Sequence, residues 1–261
     1  MIISPRHKFI FFKSIKTAGS SVEKALHSIL DENAFCAGGY NQMTKEIEYK
    51  AINNEFELFN EKGEKEIHSR FHQHASPESF FTKIKHPKIY DDYKKITIVR
   101  NPWDMAVSYY WYSTTLNPEQ FVTKDLNCLI HNSDSKTTAR KKFKMWLLGS
   151  SNYTSHLSHI DHPEGEFLRT LEFLKREQES FVDDAYITDY MQFEKLERHW
   201  KALCAYVGHP SLELPRLKTN AKKAKQEHYS YFYDNTSVKL IQFSASKLID
   251  KFGYTFDRRV K

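Results

Sequence analysis

No apolar run in the 261-residue chain approaches the ~20 residues that a bilayer-spanning helix requires, which excludes a helical membrane protein. The N-terminus holds only a short apolar burst, Phe9 to Phe12, with no small-residue cleavage pattern behind it. It reads as a strand and not as a signal peptide. Cysteine is scarce: Cys36, Cys128 and Cys204 are odd in number and far apart. A disulfide framework is not expected on that ground, and a reducing cytoplasm is the expected compartment. Nothing repeats at a fixed period, and no segment is low in complexity.

What is there fits a globular protein. Hydrophobic residues make up 40% of the chain and charged residues 28%. The length suits one large domain, expected over residues 1–261, with a sizeable core. The net charge of +6 has two readings, a surplus of solvated lysines or a site for an anionic ligand. The position of the basic residues decides between them.

Lys8 to Lys13 is nearly all apolar and predicts a buried strand. A loop, Ser14 to Gly19, follows. From Ser20 the pattern turns helical, with Val22, Ala25, Leu26, Ile29 and Leu30 on one face. Residues 36–72 are polar and predict a hairpin or irregular insertion that contributes to an acceptor site. Lys95 to Val99 predicts a second buried strand ending at Arg100. There Asn101-Pro102-Trp103-Asp104 reads as a helix start, with Asn as cap and Pro at the first position. Helices are expected near Ala139–Leu148, Phe167–Glu179, Leu196–Val207 and Thr236–Phe252, and a third strand near Tyr186–Phe193. Strands alternating with helices predict an α/β three-layer sandwich around a central parallel sheet. In such sheets ligands bind at the carboxyl ends of the strands, where Ser14–Gly19 and Arg100 lie.

Lys16-Thr17-Ala18-Gly19-Ser20-Ser21 sits between strand and helix. A helix N-terminus offers unpaired N–H groups and about half a positive charge, which suits a phosphate. Gly19 lets the backbone approach, the hydroxyls of Thr17, Ser20 and Ser21 add donors, and Lys16 adds a full charge. The same residues also suit an ordinary turn with serines capping the helix. A kinase or NTPase loop places its lysine after a second glycine; here Lys16 precedes Gly19 and no glycine opens the loop.

Phe9 to Ser21 resembles the 5′-phosphosulfate loop of sulfotransferases that use 3′-phosphoadenosine-5′-phosphosulfate (PAPS). The likeness is to the branch that includes glycan 2-O-sulfotransferases and many short microbial members. Ile96 to Tyr110 resembles the same family's 3′-phosphate motif, which implies that Arg100 and Ser108 bind the 3′-phosphate. Gln192 to Leu196 is similar to the strand end near the adenine, and so implicates Phe193. Leu214 to Asp234 resembles the closing basic loop, with Lys218, Lys222 and Lys223 over the nucleotide. Phe252-Gly253-Tyr254 resembles the usual C-terminus. The resemblance implies a P-loop-like phosphate-binding loop spanning Lys16, Thr17, Ala18, Gly19, Ser20 and Ser21. It also implies PAPS as donor, 3′-phosphoadenosine-5′-phosphate (PAP) as product, no required metal, and Lys16 as a catalytic cation at the leaving phosphate.

An acceptor hydroxyl must lose its proton, and a histidine near neutral pKa suits that task. His72-Gln73-His74 resembles the His-x-His segment of the glycan branch, which makes His74 the expected base, with His72 secondary and Glu78 an alternative acid–base group. His156, His159, Asp161 and His162 lack the spacing of a closed structural zinc site and read as a solvated loop. The segments free of donor motifs carry Tyr40, Tyr49, Phe56, Trp111, Tyr112, Trp146 and Tyr153 beside Glu46, Glu48, Asn53, Asn54 and Glu55. Some of these aromatics are core. The rest suit a compact polar or cationic acceptor, so a small-molecule metabolite is expected, with no nucleic-acid or membrane partner. The alternatives are sulfation of a glycan, a nucleotide kinase and a basic nucleic-acid-binding module.

Overall fold

The computed structural model describes residues 1–41, 46–53, 56–59, 65–68, 73–84, 88–116, 128–148, 169–217 and 227–259. Its two compact units are Met1–Arg100 with Ser180–Leu217, and Asn101–Glu179 with Lys218–Lys261.

The first unit holds a five-stranded sheet of β1 (Ile2–Ser4), β2 (Phe9–Phe12), β3 (Phe35–Cys36), β8 (Lys94–Val99) and β9 (Asp189–Gln192), in the order β3-β1-β2-β8-β9. β2, β8 and β9 are parallel neighbours, with Phe11 opposite Ile96 and Ile98 opposite Met191. β1 and β3 extend the sheet antiparallel on the β2 side. The N-terminal segment is thus a hairpin of two strands, where the sequence predicts one.

Alternation along β2 builds the layers, because successive side chains of a strand point to opposite faces. Phe9 and Phe11 pack with Val22, Ala25 and Leu26 of α1 (Gly19–His27) and with Trp200, Leu203 and Cys204. Ile10 and Phe12 pack on the other face with Phe80 and Phe81 of α2 (Pro77–Lys83). Helices on both faces of a mostly parallel sheet form the expected α/β architecture. The polar insertion holds two hairpins, β4–β5 (Gly39–Asn41, Glu46–Tyr49) and β6–β7 (Phe56–Phe59, Lys65–His68).

The second unit is helical. α3 (Pro102–Leu116) starts as predicted, with the Asn101 side-chain oxygen accepting from Trp103 N and Asp104 N at 3.1 and 3.2 Å. α4 (Lys136–Leu147) and α5 (Arg169–Glu179) follow, and Tyr110, Phe143, Trp146 and Phe232 stack into the core. α6 (Leu196–Tyr206) belongs to the first unit. The final helix is not continuous over 236–252. It divides into α7 (Asn235–Ser244) and α8 (Ser246–Phe252). Ser244 Oγ donates back to Ile241 O at 3.2 Å, and Ala245 leaves helical geometry at φ −117. A serine that bonds its own helix competes with the regular ladder. Gly253 ends α8 in the left-handed region, φ 66, as a terminating glycine does. Among the described residues no helix is long and apolar enough to cross a membrane.

Candidate functional site

The carboxyl edge of β2, β8 and β9 carries three short segments, and residues from all three meet there. The loop after β2 is folded on itself. Ser14 Oγ donates to Ile98 O of β8 at 2.5 Å and lies 2.9 Å from Thr17 Oγ1. Thr17 Oγ1 donates to Ser14 O at 3.1 Å, so this buried hydroxyl shapes the loop. Lys16 and Ala18 both take left-handed backbone, φ 54 and 66, a conformation that costs a non-glycine residue on the order of 1 kcal/mol. α1 then begins at Gly19 with no side chain capping it, because Ala18 has no oxygen to offer. Ser21 N and Val22 N turn back to Ala18 O, and the positive end of a helix started without a capping side chain suits an anion.

Gly19 has a role that the sequence pattern does not reveal. A Cβ there would stand 2.6 Å from Lys13 Cγ. The missing side chain therefore makes room for Lys13. Ser21, expected to serve the phosphate, accepts a hydrogen bond from Leu217 N at 3.2 Å. It ties the residue before Lys218 to the helix that follows the loop.

Arg100, the residue after β8, is buried. Its Nη1 donates to Lys16 O at 2.5 Å, and its guanidinium lies 4.1 Å over the Phe193 ring, at the end of β9. The Lys16 carbonyl, the Arg100 guanidinium and the Phe193 ring are thus brought together at one strand edge. The arginine fork suits a terminal phosphate. This donor set fits the PAPS donor that the motif resemblance implies. Ser20 lies half-buried in the first turn of α1. Ser108 lies half-buried in α3 of the second unit. Lys218, Lys222, Lys223, His72 and the 156–162 histidine group lie outside the described residues.

Beside the loop is a buried polar cluster. Lys13 Nζ meets Glu23 Oε2 at 2.8 Å, Gln73 Oε1 at 3.2 Å and Tyr49 OH at 3.3 Å. Tyr49 also donates to Glu23, and the Met1 amino group pairs with the same carboxylate. Burial alone would raise the Glu23 carboxyl, but the Met1 ammonium and Lys13 outweigh it and hold the pKa at about 2. Nothing in the sequence pattern flags this cluster, since Lys13 and Glu23 read there as a strand end and a helix position.

His74 Nδ1 donates to Lys13 O at 2.8 Å. That bond fixes the proton on Nδ1 and makes Nε2 the unprotonated nitrogen. Enclosure in the protein and the adjacent Lys13 charge lower the ring's pKa to about 3, well below the neutral value expected of it. Glu78 lies exposed in the first turn of α2. Among the aromatics assigned to an acceptor pocket, Tyr49, Trp111 and Trp146 are buried core.

The cluster makes acid sensitivity measurable. Glu23 has a depressed pKa when folded, so its stabilisation is present above the ordinary value of 4.5 and is lost as the pH falls towards 2. Urea unfolding should show stability falling through that window. Glu23→Ala should cost about 3–5 kcal/mol at neutral pH, because it leaves Lys13 buried and unpaired. A loss under about 1 kcal/mol would place the ion pair among weak, solvent-like pairs.

A family model described as "Sulfotransferase family" matches residues 1–245. No curated protein and no solved structure matches the chain.

Proposed function

Because the chain belongs to the sulfotransferase family, we propose that it transfers a sulfuryl group from PAPS to a hydroxyl or amine of a small soluble metabolite. The observation that supports this reading is the meeting of Lys16, Arg100 and Phe193 at the ends of three adjacent parallel strands. In this reading the α1 N-terminus and Lys16 receive the 5′-phosphate. Arg100 takes the 3′-phosphate and Phe193 lies near the adenine. Ser108, and Lys218, Lys222 and Lys223, join through the motif resemblance alone.

The reaction is an in-line displacement. The acceptor oxygen bonds to sulfur as the bond from sulfur to the 5′-phosphate oxygen breaks, and negative charge is left on that phosphate. Lys16 stabilises this charge. His74 Nε2 takes the acceptor's proton and becomes imidazolium. The lowered pKa keeps Nε2 unprotonated at every working pH, at the cost of some driving force for the proton transfer.

Titration calorimetry with PAP, ATP and an oligonucleotide tests the reading. PAP should bind far more tightly than the other two. Arg100→Ala should weaken PAP by at least about tenfold, since a charge-assisted pair loses one partner, and adenosine 5′-phosphosulfate much less. Tighter binding of ATP or of the oligonucleotide would replace the proposal with a kinase or a nucleic-acid-binding function. Equal losses for both nucleotides on Arg100→Ala would make that residue structural. A screen of small alcohols and amines against anionic polysaccharides with labelled PAPS then decides the acceptor class.

A further inference from the structure

We infer that Lys13 and Gln73 are positioning residues that clamp His74 with Nδ1 protonated and Nε2 held for the acceptor. The inference deepens the proposed function and rests on His74 being its base. Lys13 is held at both ends. Its ammonium has three N–H donors, and three oxygens surround it, from Glu23 on α1, Tyr49 on β5 and Gln73. Its own carbonyl, at the end of β2, accepts the His74 Nδ1–H. Gln73 and His74 are consecutive, so the segment entering α2 grips one lysine twice, side chain to side chain and ring to backbone. Met1 N donates to Gln73 O at 2.9 Å and adds a third attachment to the same segment.

This arrangement gives the lysine a purpose that its charge alone does not explain. With its donors engaged by protein oxygens and its side chain almost wholly buried, the Lys13 ammonium is not presented to a substrate phosphate. It lies between the phosphate loop and the histidine, joining the two. Ring orientation is then set by β2, the strand that also delivers Lys16. The charged groups that act on the ring are Lys13, the Met1 ammonium and Glu23. The two cations favour the neutral ring, and the carboxylate opposes them.

Nitrogen-15 NMR of the full chain labelled at histidine, with PAP bound, tests the clamp without need of an acceptor. Wild-type His74 should stay neutral with Nδ1 protonated across roughly pH 5 to 8. Gln73→Leu removes an oxygen from Lys13 and should give a mixture of the two tautomers. Gln73→Glu keeps the oxygen and adds a negative charge, so it should retain the Nδ1–H form and raise the ring's pKa. Both variants should bind PAP within about twofold of wild type, which shows the donor site folded. A His74 ring in Gln73→Leu that matches wild type in tautomer and titration overturns the clamp. So does a wild-type ring protonated on Nε2, or a Gln73→Glu ring that titrates no higher than wild type. His74→Ala that transfers sulfuryl at the wild-type rate overturns the base reading instead, and with it the clamp's catalytic purpose.

Discussion

Replacing His74 with alanine should lower sulfuryl transfer by about 10²–10⁴-fold, the range a positioned general base contributes, while PAP affinity stays unchanged. The base touches the acceptor and not the donor, so the loss falls on turnover. The pH profile adds a second signature. An unperturbed histidine would lose its base form below about pH 6.5. His74 is lowered to about 3 by its enclosure and by Lys13, so its neutral form persists far into acid. The rate should therefore show no acidic limb near neutrality, and activity should survive EDTA. Stopped assays with labelled PAPS and the acceptor from the screen measure both. Transfer at the wild-type rate by the alanine variant would move the role to Glu78 or His72.

Lys16→Ala should lower turnover by about 10²–10³-fold, the scale of removing one donor aimed at developing charge. PAP binding should weaken by less, because the charge on the leaving phosphate grows only as the sulfur departs. The left-handed backbone and the carbonyl that accepts from Arg100 belong to the main chain, so the substitution should keep both. Single-turnover rates compared with calorimetric affinities separate the two effects. Unchanged turnover with weaker binding would remove Lys16 from the chemistry and leave it as an anchor.

The parallel strands, the loop and Arg100 were legible because each rests on short-range signals. Apolar runs mark β2 and β8, and Asn101-Pro102 marks the helix start that fixes where β8 ends. The stacking of Arg100 on Phe193 follows from β8 and β9 being neighbours in the sheet, a pairing between distant segments that the sequence alone did not specify. What stayed hidden was long-range. β1 and β3 are two or three residues long and carry no periodicity to read. The Lys13–Glu23–Tyr49–Gln73 cluster joins four elements, and no pattern in any one of them marks a charge as buried. The lowered His74 pKa follows first from burial and then from the Lys13 charge, and neither is written in a local pattern. Tyr49, Trp111 and Trp146 looked available to an acceptor because aromatic composition does not distinguish core from pocket.

The sheet order also governs when the site comes into existence during folding. The β1–β2 hairpin is local and can close early, as hairpins do within microseconds. The pairings that build the ligand edge are not local: Phe11 waits for Ile96, and Ile98 waits for Met191. Such distant parallel pairings close late and slowly, because loop-closure entropy must be overcome before their contacts form. On a ribosome, the arginine emerges long before its aromatic partner at Phe193. A nascent chain released before β9 would carry the phosphate loop without the strand end that completes its edge. The edge proposed to receive the nucleotide is therefore among the last parts of this chain to form as it is made.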